Sequence, residues 1–344
     1  MRLRSSSMDA VVVGQVGYGY WGPSLARNFA GRPGGHLAVL ADQDPARRVL
    51  AGESLPGTRI VADARSVIDD PEVHAVVLAT PPATHAALAV AAMRAGKHVF
   101  IEKPLALTVE DGATIAAAAE DTGLVVVVGH LLLFHPAVRA LTRIVDTGGL
   151  GDLWTVECER TNLGQVRSDV NAWWSIAPHD VAVILSLTGG EPDWVSSFGQ
   201  AFIRPGREDD VYTALRFPTG QIAHVHASWL SPHRRRRLSV VGSKAMAVFD
   251  DAEPVDKVRL LDRGVDVTES GGEISTTLRD GGATAVPFAD TEPLAAECDH
   301  FLDLIRTGER RSPAGVHEAL SVLRVLEAGT RSLRDGAPVV LSPR

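Results

Sequence analysis

The six residues Gly17-Tyr18-Gly19-Tyr20-Trp21-Gly22 constrain this chain more than any other feature. A GxGxxG is common by chance and means little alone. Here an apolar run over residues 10–16 precedes it and an amphipathic stretch over 22–30 follows. A glycine turn between a buried strand and a helix start is the form in which backbone amides grip a pyrophosphate. Gly17 permits the tight turn, Gly19 the close approach to phosphate, and Gly22 close helix packing, with Tyr18, Tyr20 and Trp21 completing the loop. An acid about 20 residues further on is expected to bind the adenosine ribose, and Asp42, ending the next apolar run, fits. A carboxylate there repels a 2′-phosphate, so NAD is the expected cofactor. Arg47 and Arg48 stand near enough to offset that charge, which leaves NADP as the alternative.

The rest of the first third keeps the same rhythm. Strand-like runs at 37–42, 59–62, 74–80, 97–102 and 124–129 alternate with helical stretches at 45–52, 83–95 and 108–122. That is the pattern of βαβ units on a parallel sheet. Past residue 134 the runs lengthen and follow one another at 153–161, 193–203, 211–217, 221–230, 237–241 and 246–250, with helical patterns at 173–187, 293–306 and 314–333. The expected fold is an α/β Rossmann domain over residues 1–129. An α+β domain with a large open, mostly antiparallel sheet follows over 130–344, its last helices free to pack back on the first domain.

Composition narrows the partners. A net charge of -8 argues against a nucleic-acid surface, apart from the basic run Arg234 to Arg237, which reads as a solvated strand edge that discourages pairing. Two distant cysteines, Cys158 and Cys298, do not make a disulfide framework, and the start of the chain lacks the apolar core of a signal peptide. Met8 reads as a candidate start with a disordered extension before it. No stretch approaches the ~20 apolar residues of a membrane span, so a cytoplasmic, non-membrane protein is expected.

The run at 97–102 leads into Glu102-Lys103-Pro104 at the carboxyl end of a strand, where open α/β sheets bind ligands. Proline fixes the chain just beyond the lysine. An ordinary lysine, with a pKa near 10.4, is a poor acid or base at neutral pH. Partial desolvation lowers that value and lets Lys103 exchange a proton with a substrate hydroxyl.

Gly17 to Gly22, Thr80-Pro81-Pro82-Ala83-Thr84-His85 and Glu102-Lys103-Pro104, in that order and spacing, resemble the Gfo/Idh/MocA family of oxidoreductases. The likeness covers nearly the whole chain and lies towards members acting at C3 of nucleotide-linked sugars, as dehydrogenases or 3-ketoreductases. It implies that Lys103 is the catalytic lysine, that Thr80, Pro81, His85 and Glu102 line the nicotinamide end, and that the bond before Pro104 is cis. It also implies a second catalytic group, His179, in Ala177-Pro178-His179-Asp180, and oligomerisation through the second domain's sheet, as a homodimer or homotetramer. Many relatives carry an aspartate four residues before that histidine, where this chain has Ser175, either a lost relay carboxylate on the same helix face or a helix N-cap.

The polar stretch Asn162 to Asn171 resembles the corresponding loop of the nucleotide-sugar enzymes. Asn162, Arg167, Asn171 and Ser175 are therefore candidate substrate contacts beside Lys103 and His179; a plain surface loop has the same composition. His130 and His135 are too isolated for a metal site, His135-Pro136 reading equally as a turn. The expected activity is a nicotinamide-dependent dehydrogenase or ketoreductase acting on the CH–OH group of a sugar, at C3 of a nucleotide-linked hexose. An inositol or aminocyclitol dehydrogenase is the runner-up. A non-catalytic dinucleotide sensor and a redox-cycling glycosidase are the readings of other kinds.

Overall fold

A computed structural model describes residues 10–164, 166–270 and 272–342. The candidate start Met8 and the loop residue Gln165 lie outside the described residues. The chain divides into two compact units. One is the chain up to Phe134 together with Thr291–Leu323; the other is His135–Asp290 together with the chain from Arg324 on.

The first unit runs β1 (Val11–Val16), α1 (Gly22–Ala30), β2 (Gly35–Ala41), α2 (Pro45–Ser54), β3 (Arg59–Val61), α3 (Arg65–Ile68), β4 (Ala75–Leu78), α4 (His85–Arg94), β5 (His98–Ile101), α5 (Val109–Thr122) and β6 (Val126–Val128). The six strands are all parallel, in the order β3-β2-β1-β4-β5-β6, which is the doubly wound order. Parallel strands covered on both faces read as unbroken apolar runs, and β4 and β6 are buried along their whole lengths. Helix boundaries follow local chemistry. Asp44 caps α2 by accepting the Ala46 N–H, Thr108 caps α5 through the Asp111 N–H, and α5 stops at Gly123 in the left-handed region.

The second unit contains α6 (Pro136–Asp146), β7 (Leu153–Leu163), α7 (Ala172–Ile176), α8 (Pro178–Thr188), β8 (Trp194–Gln200), β9 (Asp210–Arg216), β10 (Ile222–Ser228), β11 (Leu230–Gly242), β12 (Met246–Asp250), β13 (Val258–Ser270) and β14 (Glu273–Ala285). The chain then supplies α9 (Pro293–Thr307) to the first unit. There Phe301 meets Phe29 and Phe100 edge-on, with ring centroids 6.2 and 5.7 Å apart. The unit boundary falls within α10 (Val316–Asp335), and β15 (Val339–Val340) closes the described chain. The nine-stranded sheet has the order β14-β13-β12-β11-β7-β10-β9-β8-β15, antiparallel except for β7 against β10. Helices α6, α7 and α8 pack on it. Alternation gives it two unlike faces. Val156, Cys158, Val225 and Leu238 are buried, while Glu157, Glu159, His226 and Arg237 face the other way.

Four expectations need correction. The helical pattern at 173–187 is two helices, because Pro178 brings no N–H to continue α7 and starts α8 instead. Ser175 is therefore inside α7 and is not an N-cap; Asn171 caps α7, its side chain accepting the Trp174 N–H at 3.1 Å. The arginine run lies on an inner strand, since β11 pairs with both β7 and β12, although within the run only Arg237 has a strand partner on both sides. A bulge between Leu230 and Arg235 turns its start outwards, and Asp251 and Glu159 take up Arg234, Arg235 and Arg236. His135 belongs to no turn: it caps α6, its Nδ1 accepting the Ala137 N–H.

Candidate active site

After β1 the chain turns through Gly17, whose φ of 99° suits only glycine. A Cβ there would lie 2.4 Å from the Ala79 carbonyl oxygen, and one at Gly22 would lie 2.8 Å from the Gly17 carbonyl oxygen. The turn is thus pressed between the neighbouring strand end and the start of α1. Trp21, at the N-cap position of α1, makes no side-chain cap, so the first-turn N–H groups face outwards for an anion. Tyr18 is buried, whereas Tyr20 is 93 % exposed and meets Trp21 edge-on.

Asp42 stands just past β2 and is nearly buried. Its carboxylate accepts the Tyr18 N–H at 2.6 Å and the Asp44 N–H at 2.8 Å, which ties the glycine turn to the next strand. A carboxylate has about four acceptor sites, so two remain for ribose hydroxyls. Arg47 lies 3.9 Å from Asp42 and 3.6 Å from Asp44. Arg48 donates to the Asp42 and Gln43 carbonyls, both at 2.9 Å. A cavity of about 660 Å³ opens here, lined by Gly17, Asp42, Arg47, Thr80, Pro81 and Leu88 among others. Turn, helix end, carboxylate and cavity together fit a dinucleotide.

Thr80 and Pro81 follow β4, with Thr84 Oγ1 donating to the Pro81 carbonyl at 2.8 Å. His85 opens α4 with no exposed surface. Its Nε2 lies 3.0 Å from the Thr80 carbonyl and its Nδ1 3.0 Å from the Pro104 carbonyl. The ring straps the ends of β4 and β5 together, and burial pushes its pKa down although both carbonyls pull it up. His85 therefore acts on the cavity wall from behind.

The Lys103–Pro104 bond is cis. The Glu102 carboxylate accepts the Lys103 N–H at 2.8 Å and sits where a Cβ at Gly129 would come within 2.3 Å of it, so glycine after β6 makes its seat. Burial pushes the Glu102 carboxyl up to about 7, against the pull of the Lys103 charge and N–H. His130, almost fully buried, is pushed down to about 3, first by burial and then by the Lys103 charge. Glu297 on α9 is buried as well; burial and then the Glu102 charge hold its carboxyl well above the usual range. Lys103 thus has as neighbours a carboxyl that burial holds towards its neutral form and a neutral imidazole.

In the second unit, His179 occupies the first turn of α8 and is partly buried. Asp180, next to it, is held by Arg160 through two bonds of 2.8 and 2.7 Å with both groups largely buried. The charge of Asp180 is therefore paired by an arginine from β7 that sequence reasoning missed. Helix α7, carrying Ser175, is pinned by its tryptophans: Trp173 Nε1 donates to the Leu326 carbonyl at 2.9 Å and Trp174 Nε1 to Thr330 Oγ1 at 2.8 Å. Asn171 also donates to Glu208 at 2.7 Å. Asn162 is the penultimate residue of β7, and Arg167 in the loop beyond the strand is held by Asp169 at 2.9 and 2.6 Å. Among the described residues no group of three or more His, Cys, Asp or Glu could hold a metal ion, and no helix is long and apolar enough to cross a membrane.

Residues 11–130 match the family described as "Oxidoreductase family, NAD-binding Rossmann fold", and residues 138–248 match the "GFO/IDH/MocA C-terminal domain". This chain belongs to the Gfo/Idh/MocA family. Among solved structures, a putative oxidoreductase from Magnetospirillum magnetotacticum is 34% identical with a TM-score of 0.79, over 92% of this chain and 99% of that one. The scyllo-inositol 2-dehydrogenase (NAD(+)) of Bacillus subtilis is 25% identical over 96% of this chain and 94% of its own. The UDP-N-acetylglucosamine 3-dehydrogenase of Acidithiobacillus ferrooxidans is 29% identical over 85% and 88%. As a Gfo/Idh/MocA protein the chain is an NAD-dependent dehydrogenase, of a family that acts on sugars and cyclitols.

Proposed function

We propose that this dehydrogenase oxidises or reduces C3 of a nucleotide-linked hexose, with Lys103 and His179 handling the hydroxyl proton. Bound NAD supplies hydride exchange at its nicotinamide. The observation that carries the reading is Lys103, anchored through its own N–H by Glu102 at the end of β5, in the same unit as the dinucleotide cavity. A proton moved in the transition state by a positioned side chain contributes roughly 10²–10⁴ in rate. The Arg160–Asp180 pair supports the reading by fixing the first turn of α8, which carries His179. Gly17, Tyr18, Gly19, Tyr20, Trp21, Asp42, Thr80 and Pro81 are proposed to hold the cofactor, and Asn162, Arg167, Asn171 and Ser175 the sugar.

For the substrate class, the 29% identity to a UDP-N-acetylglucosamine 3-dehydrogenase is the support. The second reading, an inositol or aminocyclitol, gains from Arg167, whose guanidinium is engaged by Asp169 and would have to exchange that partner to meet a diphosphate. Reduced-nicotinamide absorbance, followed with UDP-sugars in one arm and free inositols in the other, separates the two. Turnover of inositols alone would overturn the nucleotide-sugar reading.

The first unit is proposed as the dinucleotide domain and the second as the substrate and oligomerisation domain, forming a homodimer or homotetramer through its sheet. On the face away from the buried residues, Phe198 stacks on Tyr212 and Tyr212 on His226, with centroids 5.1 and 3.9 Å apart and Phe198 70 % exposed. Both cysteines are buried thiols, which suits the reducing cytoplasm.

A further inference from the structure

Strand β12 supports β13 only from Val258 to Leu261. Beyond that point β13 and β14 pair with each other alone, from Arg263 opposite Asp280 to Ser270 opposite Glu273. Residues 263–270 and 273–280 therefore form a two-stranded ribbon projecting from the edge of the sheet. Its faces differ. Alternation places Val265, Val267, Ile274, Thr276 and Leu278 on one side, with Glu269 beside Ile274 and the Arg263–Asp280 pair at its base, and Asp266, Thr268, Ser275, Thr277 and Arg279 on the other. The aliphatic side lies in the open, with Leu278 84 %, Ile274 72 % and Val267 59 % exposed. An isolated two-stranded hairpin is marginal in water, and an aliphatic face without cover makes it more so.

We propose that this ribbon is a clasp whose aliphatic face is covered by the sheet of a second copy of this chain. Its charges argue against nucleic acid or a lipid surface: Arg263 is paired with Asp280, and Arg279 with Asp262 and Asp266, in a chain of net charge -8. Its match lies on the same chain, where Phe198, 70 % exposed and stacked on Tyr212, gives the sheet an apolar patch for a second copy's ribbon to cover. Its orientation points to a like partner. Leu261 pairs with Met246 on the face that carries Glu159, His226 and Tyr212, and alternation along β13 continues that face into Val265 and Val267. The ribbon lies at the β14 end of the sheet and the exposed Phe198–Tyr212 stack near the β8 end. A two-fold axis over the middle of the sheet would lay each ribbon across the aromatic end of the other copy.

The inference rests on the reading that the second unit mediates self-association, and the test separates the two. Sedimentation velocity of the full chain gives the wild-type mass, and Ile274→Asp combined with Leu278→Asp is compared with Thr277→Asp on the polar face. All three positions are exposed, so the fold tolerates them, which thermal melts check. The double variant is expected to lose half its mass and to reassociate about 100-fold more weakly or worse, with Thr277→Asp unchanged. A double variant that keeps the wild-type oligomer refutes the clasp and leaves self-association standing. A monomeric wild type refutes both.

Discussion

The two units bury their sheets differently, and their functions are written differently as a result. In the first, parallel strands such as β4 are covered throughout, and the chemistry gathers at the strand ends where Gly17, Thr80 and Lys103 follow one strand each. A ligand site there needs only short local segments. In the second, one face of an antiparallel sheet carries helices and the other carries Glu159, His226 and Tyr212. Its buried charges are held by partners apart in sequence, as Arg160 and Asp180 are. Local motifs therefore name the cofactor, and long-range pairs decide what the second unit does.

The largest effect that would sharpen this contrast is in the second unit. Arg160→Met leaves Asp180 buried without its partner, and chemical denaturation should show about 3–5 kcal/mol lost. A loss under 1 kcal/mol would mean that α8 does not depend on the pair. Replacing both residues by apolar ones should recover much of the loss.

In the first unit the matching test is pH. Glu102 titrates near 7 in the fold against an ordinary value of 4.5, so the folded state binds the proton more tightly. Stability is then full below about 4.5, falls by about 3 kcal/mol as pH rises to 7, and is flat above. Half-buried His98, lowered to about 4, works with the opposite sign, losing stability as pH falls from 6.5 towards 4. Comparing wild type with Glu102→Gln isolates the carboxyl: the variant should lack the fall between 4.5 and 7. An unchanged slope would contradict the burial of that group.

A smaller effect concerns the ribose. Asp42→Ser removes the charge that repels a 2′-phosphate, so the ratio of kcat/KM for NAD over NADP should drop by about tenfold, or 1.4 kcal/mol. An unmoved ratio would show that Arg47 already governs the choice.

Much of the first unit was legible because each element is local: an apolar run, a capped helix, a glycine turn. Thr108 as the cap of α5 and Asp42 at the end of β2 could be read directly. The second unit was harder for stated reasons. The ribbon was missed because Asp266, Thr268, Ser275 and Thr277 dilute the apolar alternation that marks a strand. Pro178 splits a helical pattern whose apolar content runs straight through it. Arg160 gave one weak signal, a lone charge at an inward position of β7, and nothing local names Asp180 as its partner. Glu297 and His130 look like ordinary polar residues until packing buries them beside Glu102 and Lys103.

The central assignment is Lys103 as the group that exchanges the hydroxyl proton. Lys103→Met tests it most directly, with turnover followed at the reduced-nicotinamide band and NAD binding by calorimetry on the same preparation. Turnover should fall at least 100-fold while the dissociation constant for NAD stays within about twofold. Turnover near wild type, or NAD binding lost in step with it, would contradict the role given to that lysine.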